Sequence, residues 1–131
     1  MRRRVADARV GRLATVRPDG GPHIVPCCFA VSGEIVYTAV DRVKAKRTTE
    51  LLRLGNVRRH SSVCLLVDEY AEDWSALWWV RVDGRAHVAE RGSSEHRAAT
   101  ELLAEKYEQY RSGPPLGPAI AIDVAAWRAW P

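Results

Sequence analysis

The residue types best suited to chemistry lie together in Asp41-Arg42-Val43-Lys44-Ala45-Lys46-Arg47-Thr48-Thr49. This stretch sets cations and hydroxyls between a predicted strand end and a predicted helix. Such a junction binds phosphate through Arg forks, Lys ammoniums and the free amide N–H groups of a helix start. A solvated basic loop is the plain alternative. Arg12 and Arg17, on an adjoining predicted strand, extend the cationic surface.

Other chemistry is thinly represented. His23, His60, His87 and His96 show no H-x-x-x-H spacing and no C-x-x-C partner, so each reads as a surface or hydrogen-bonded histidine. Asp68, Glu69, Glu72 and Asp73 lack the glycine and ligand spacing of a calcium loop. Ser62 and Thr15 lie near strands, but nothing supplies either with a base, and neither the Rossmann glycine pattern nor a P-loop is present. Without an intrinsic catalytic group, the hard step of any reaction falls to a cofactor. Cys27, Cys28 and Cys64 form no disulfide framework, and the adjacent pair sits in an apolar stretch as buried thiols do.

The charge is unevenly spread. Residues 1–17 hold six Arg against Asp7, and residues 41–60 hold seven basic against two acidic groups, whereas residues 61–80 are acidic with no basic residue. Two basic zones and one acidic zone suit an anionic ligand, or form ordinary solvated faces. No recognition helix or basic-aromatic stripe accompanies them, which argues against nucleic acid. Five Trp in 131 residues suggest a cavity lining or an interface as much as a core. The length is that of a single domain, 1–131. No apolar run reaches the roughly 18 residues of a membrane helix, and no secretory signal is visible, so a cytoplasmic protein with reduced thiols is expected.

The elements that must position these residues alternate between strand and helix patterns. Leu13–Val16, His23–Val31 and Glu34–Val40 read as a three-stranded meander, with turns at Pro18-Asp19-Gly20-Gly21 and Ser32-Gly33. Asp41 to Asn56 reads as a helix, capped early by Asp41 or by Thr48 after an extended basic loop, that stops at Gly55-Asn56. Ser62–Val67 is a strand, and Leu77–Val82 with Arg85–Glu90 reads as a hairpin turning at Asp83-Gly84. Ser93 or Ser94 caps a helix to about Tyr110, and Ala119–Trp127 is the last strand. The pattern predicts an α+β protein built on a six-stranded antiparallel β-barrel with flanking helices.

The block from Val10-Gly11-Arg12-Leu13-Ala14-Thr15-Val16 through Pro22-His23-Ile24-Val25-Pro26 resembles the opening of the pyridoxamine 5′-phosphate oxidase-like split β-barrel flavoproteins. Ile35-Val36-Tyr37-Thr38, leading to Lys44-Ala45-Lys46-Arg47, is similar to their phosphate-binding junction. Asp73-Trp74-Ser75-Ala76-Leu77-Trp78-Trp79-Val80-Arg81-Val82 resembles an actinobacterial subgroup associated with the deazaflavin coenzyme F420.

The resemblance implies a homodimer with cofactor sites at the subunit interface and no membrane span. It also implies hydride transfer between coenzyme F420 and a small-molecule substrate. Lys44, Lys46 and Arg47 face the coenzyme phosphate or acidic tail on this reading, with Thr48 beside them. Thr15, Val25, Pro26 and Cys27, together with Tyr37, Thr38 and Ala39, line the ring. Trp78, Trp79 and Arg81 come from the partner subunit, and Tyr37 and His23 are the candidate proton donors. Arg2-Arg3-Arg4 matches no family motif, and the carboxy-terminal Arg-rich signature of true pyridoxamine phosphate oxidases is missing, which argues against vitamin B6 oxidation. The alternatives are an FMN-binding oxidoreductase on the same barrel, a non-catalytic flavin, deazaflavin or haem carrier, and a dimer with no cofactor.

Overall fold

Period-two burial runs through the strands and defines the core. Leu13, Leu65, Val80, Val82, Ile120 and Ile122 are each at most 2% exposed, and their sequence neighbours on the same strands point the other way. In this computed structural model, residues 2–40, 47–115 and 117–131 are described. The chain runs α1 (Arg2–Asp7), β1 (Gly11–Val16), β2 (Pro22–Cys27), β3 (Phe29–Ser32), β4 (Ile35–Ala39) and α2 (Arg47–Arg59). It continues through β5 (Ser62–Glu69), a 3-10 turn at Trp74–Ala76, β6 (Trp78–Ala89), α3 (Ser94–Lys106), α4 (Glu108–Ser112) and β7 (Ala119–Trp130). Among the described residues no helix is long and apolar enough to cross a membrane.

The sheet is antiparallel with the order β2-β1-β5-β6-β7-β4-β3. The α+β split-barrel architecture holds, with seven strands in place of the six expected. The stretch His23–Val31 is not one strand of a meander. It breaks at Cys28 into β2, which pairs only with β1, and β3, which pairs with β4. These two strands are the opposite edges of the sheet yet are separated by one residue, so the sheet must curl until its edges meet.

The hairpin expected at Asp83-Gly84 is absent, and β6 passes straight through that dipeptide. Asp83 and Gly84 already have neighbours on both sides, Cys64 and Val63 of β5 and Ala126 and Val124 of β7. With both ladders supplied, a turn would forfeit backbone hydrogen bonds. The irregularity falls on β7 instead, where Ala125 is the extra residue of a bulge.

The helices α2 and α3 take opposite sides of the sheet. Leu54 and Val57 of α2 join the main core on the inner side of the sheet. The helix does not stop at Gly55-Asn56: Asn56 is fully buried, donates from Nδ2 to Thr15 Oγ1 at 3.0 Å, and accepts from Arg59 at 2.7 Å. A side chain committed to a tertiary bond is not free to end the helix. Ser93 caps α3 by accepting from the His96 amide at 3.1 Å, as the sequence predicts. That helix covers the outer side of β4 and β7, packing Ala99 against Tyr37, Ala119 and Ala121. It ends earlier than expected, because Tyr107 turns out of it. The Tyr107 hydroxyl donates to Arg9 O and accepts from Phe29 N, while Lys106 Nζ donates to Phe29 O. The first residue of β3 is thereby held on both its backbone groups.

Gly84 is required by contact. A Cβ there would stand 2.4 Å from the Asp123 carbonyl oxygen and 2.8 Å from an Ile122 methyl. Gly84→Ala should therefore lower stability by about 1–3 kcal/mol, the usual cost of overpacking. This reads as a lower urea midpoint with unchanged m; an unchanged midpoint would show that the bulge relaxes freely.

Candidate functional site

The outer faces of β1, β5 and β6 carry no described helix. Strand alternation that sends Leu13, Leu65 and Val80 inward sends Arg12, Ala14, Cys64, Leu66, Trp79 and Arg81 outward. With Ile24, Asp68, Tyr70, Leu77 and Trp78, these residues enclose an open cavity of about 410 Å³. Ile24 is 62% exposed, and Tyr70, on the same lining, is exposed as well. Trp130 lies directly across from Trp79 on β7 and is likewise exposed. A contiguous apolar and aromatic surface of this kind marks a ligand or protein contact.

Its charges are neutralised locally. Arg12 Nη1 lies 2.9 Å from Asp68 Oδ1. Arg81 forms a fork on Asp83, with Nε 2.8 Å from Oδ1 and Nη2 3.1 Å from Oδ2. That carboxylate pushes the Arg81 pKa still higher. Both guanidiniums frame the cavity with their charge already satisfied, so neither is available as the main anchor of a phosphate. Burial, and then Asp83, push the Cys64 thiol up, which keeps it protonated.

A smaller cavity of about 210 Å³ opens at the seam, where the chain crosses between sheet edges. Val10, Pro26, Cys27, Cys28, Ala39, Arg53 and Tyr110 line it. It shares no lining residue with the larger one. The Cys27 thiol is pushed up to about 12, chiefly by burial, with Arg53 and Lys106 opposing. Lys106, half-buried with its ammonium 3.8 Å from the centre of the Phe29 ring, is lowered to about 8 by desolvation and then by Arg9. A third, shallow hollow of about 320 Å³ borders Thr15, Gly20, Pro22 and Ser62.

The expected site residues thus divide. Trp78, Trp79 and Arg81 line the large cavity, and Pro26, Cys27 and Ala39 line the seam. Thr15 is 3% exposed and bonded to Asn56. Val25 sits on the inner side opposite Leu13. Thr38 is fully buried with its hydroxyl unpartnered. Tyr37 packs against α3, where burial raises its pKa, and lines none of these cavities; nor does His23, whose Nδ1 is buried without a partner. Lys44 and Lys46 lie outside the described residues. The backbone of Arg47 and Thr48 forms the first turn of α2, and their side chains lie outside the description. Arg53 and Asn56 are the buried polar residues that sequence reasoning passed over. Their signal is polar residues on the same helical stripe as Leu54 and Val57.

Among the described residues, no group of three or more His, Cys, Asp or Glu is placed to hold a metal ion. No His lines the large cavity, and Cys64 is its one sulfur donor.

A family profile described as pyridoxamine 5′-phosphate oxidase matches residues 1–131. No curated protein matches the sequence significantly. Among solved structures, a conserved hypothetical protein of Mycobacterium tuberculosis is similar with a TM-score of 0.74 at 22% identity, over 96% of this chain and 79% of that one. The heme storage protein HutZ of Vibrio cholerae is similar with a TM-score of 0.75 at 16% identity, over 98% and 89%. A FAD-binding protein of Mesorhizobium loti is similar with a TM-score of 0.68 at 20% identity, over 98% and 87%. At these identities the likeness is one of fold.

The seam's electrostatics set a pH dependence. Cys27 and Tyr107 are both raised to about 12, from 9.0 and 10.0. Each keeps its proton in the folded state where the unfolded chain has lost it, so stability falls as pH rises from about 9 toward 12. Lys106, lowered from 10.5 to about 8, acts oppositely between those values. The denaturant midpoint of Cys27→Ala should therefore rise relative to that of the native chain as pH goes from 9 to 11. Parallel curves would show that the thiol titrates normally.

Proposed function

The chain belongs to the pyridoxamine 5′-phosphate oxidase family, and from that premise we propose that it binds a flavin-type tricyclic cofactor in the large outer cavity and acts as an oxidoreductase. The observation that carries this reading is the cavity itself. It is an aromatic and apolar recess of about 410 Å³ whose rim charges are already paired. A flat, largely uncharged ring system suits such a surface, and the phosphate suits the 41–49 cation cluster. The resemblance of residues 73–82 makes the deazaflavin coenzyme F420 the preferred form and FMN the second. The exposed Ile24, Tyr70 and Trp130 around the cavity suit coverage by a second copy of the chain, which would complete the site as a homodimer.

When bound, a reduced deazaflavin supplies hydride to an electron-poor acceptor. The part left to the chain would be to hold the ring, with Trp79 and Leu66 as apolar contacts, to exclude water, and to neutralise the phosphate. Tyr37 and His23 do not line this cavity, so they are not proposed as proton donors there. A haem carrier is the other reading, motivated by the heme storage protein of similar fold. The donor set speaks against it at this cavity, because it contains no His and its one thiol is held protonated.

Fluorescence titration of the purified protein with oxidised coenzyme F420, FMN and hemin, side by side, tests the proposal. Micromolar binding of a flavin-type ligand is expected. Trp79→Ala should weaken it by roughly tenfold, through loss of ring contact. Lys44→Glu with Lys46→Glu should weaken it further and flatten its salt dependence. Preference for hemin would reverse the choice of cofactor, and binding of none would remove the oxidoreductase reading.

A further inference from the structure

Two of the hollows meet. Ala14 and Cys64 line both the large outer cavity and the shallow hollow of about 320 Å³ beside it. They face each other directly across the β1–β5 ladder. Both side chains are small, so the ridge between the two spaces is low, and the outer wall carries one groove with two compartments. The second compartment lies at the Ser62 end of β5. Tyr70 follows the other end of that strand, where Trp79 and Trp130 align with Asp68. The lining of the second compartment also differs in kind. None of its residues carries a formal charge, whereas Arg12, Asp68 and Arg81 stand around the large cavity. Two neighbouring cations are engaged elsewhere: Arg17 pairs with Asp19, and Arg85, across from Ser62, donates to Ser61 Oγ at 2.8 Å. The Ser62 hydroxyl and the Cys64 thiol, kept protonated by burial, are polar hydrogens on this lining. Thr15 Oγ1 already accepts from Asn56.

We propose that this hollow is the substrate compartment of the site, and that it takes a small uncharged carbonyl compound whose oxygen accepts from Ser62. The proposal rests on the reading of the large cavity as the cofactor's place, and it adds the class of the substrate. The absence of charge on the lining selects a neutral molecule, because an ionised one would leave water for a wall with no opposite charge to meet it. The hydroxyl and the thiol both have a hydrogen to donate, which selects an oxygen acceptor. Val16, Pro22 and Val63 supply apolar walls for the body. At about 320 Å³ the hollow lies at the lower end of the roughly 300–1,000 Å³ of small-molecule pockets, so the body is limited to one or two rings.

Acetophenone, its charged counterpart benzoate and the oxygen-free ethylbenzene are the probes, added to the cofactor-free full chain and followed in two-dimensional amide spectra. Acetophenone should move the Val16, Gly20 and Ser62 signals, with Ala14 and Cys64 on the ridge, and leave Tyr70 and Trp79 in place. Benzoate and ethylbenzene should each bind roughly fivefold more weakly or worse. Ser62→Ala should weaken acetophenone by roughly 3- to 10-fold, the value of one hydrogen bond. Ser62→Trp, at an exposed strand position, should fill the hollow and abolish acetophenone binding. If that variant fails to fold, Ser62→Leu serves for the same comparison. Equal binding of benzoate, unchanged affinity on loss of the Ser62 hydroxyl, shifts confined to the large cavity, or no binding of acetophenone would each overturn the proposal. A parallel titration with the flavin-type ligands separates the two readings. Their binding without that of acetophenone removes the substrate compartment alone, whereas acetophenone in the hollow without their binding removes the cofactor reading and leaves the hollow a carbonyl site.

Discussion

One residue joins two strands that lie at opposite edges of the same sheet. Cys28 is the only link between β2 and β3, and a flat seven-stranded sheet of this order cannot be spanned by so short a connection. The curl it imposes makes one face an interior, filled by Leu13, Leu65, Val82 and Ile122, and leaves the other a wall. It also leaves the barrel unzipped along β2 and β3, whose edges meet without a ladder between them. The chain closes that gap with side chains instead. Tyr107 and Lys106 take the backbone groups of Phe29, while Arg9 donates to Lys106 O at 2.7 Å.

The distribution of charge follows from that geometry. Arginines are numerous, but on the open wall each is matched to a carboxylate on the adjoining strand or two residues along its own, leaving an apolar field between paired charges. Of the amino-terminal arginines that match no family motif, Arg2 and Arg4 serve packing. Arg2 pairs with Glu34 and lies over the Trp127 ring, and Arg4 lies over Trp78. The aromatic excess likewise splits between roles. Trp127 donates to Glu34 and belongs to the scaffold, whereas Trp79 and Trp130 stand paired on the wall.

Much of this is written in local pattern. Period-two runs locate the strands, and Ser93 announces α3, because those signals depend on near neighbours alone. The failures share one cause, which is tertiary competition for a backbone or side chain. Asp83-Gly84 has the chemistry of a hairpin turn, but β7 arrives from the far end of the chain to pair beside it. Asn56 has the chemistry of a helix stop, but Thr15 claims its amide. Cys28 carries no local sign that the sheet edge changes there. For the site, resemblance rather than local pattern singles out the Trp78-Trp79-Arg81 cluster, which the structure sets along the large cavity. Its partition from Pro26, Cys27 and Ala39 is not legible in the sequence, because only the curl decides which cavity each residue reaches.

The place of β7 between β6 and β4 has a consequence for synthesis. β4 ends at Ala39, but its second strand neighbour begins at Ala119, so during translation the β3–β4 hairpin, even with α3 laid on it, keeps one ladder edge unpaired until β7 has left the ribosome. Such a hairpin is marginal in water, and its unpaired edge is a template for intermolecular pairing. Barrel closure therefore waits for β7. A nascent chain halted before Ala119 would carry an open, adhesive edge to which chaperones, rather than further folding, must attend.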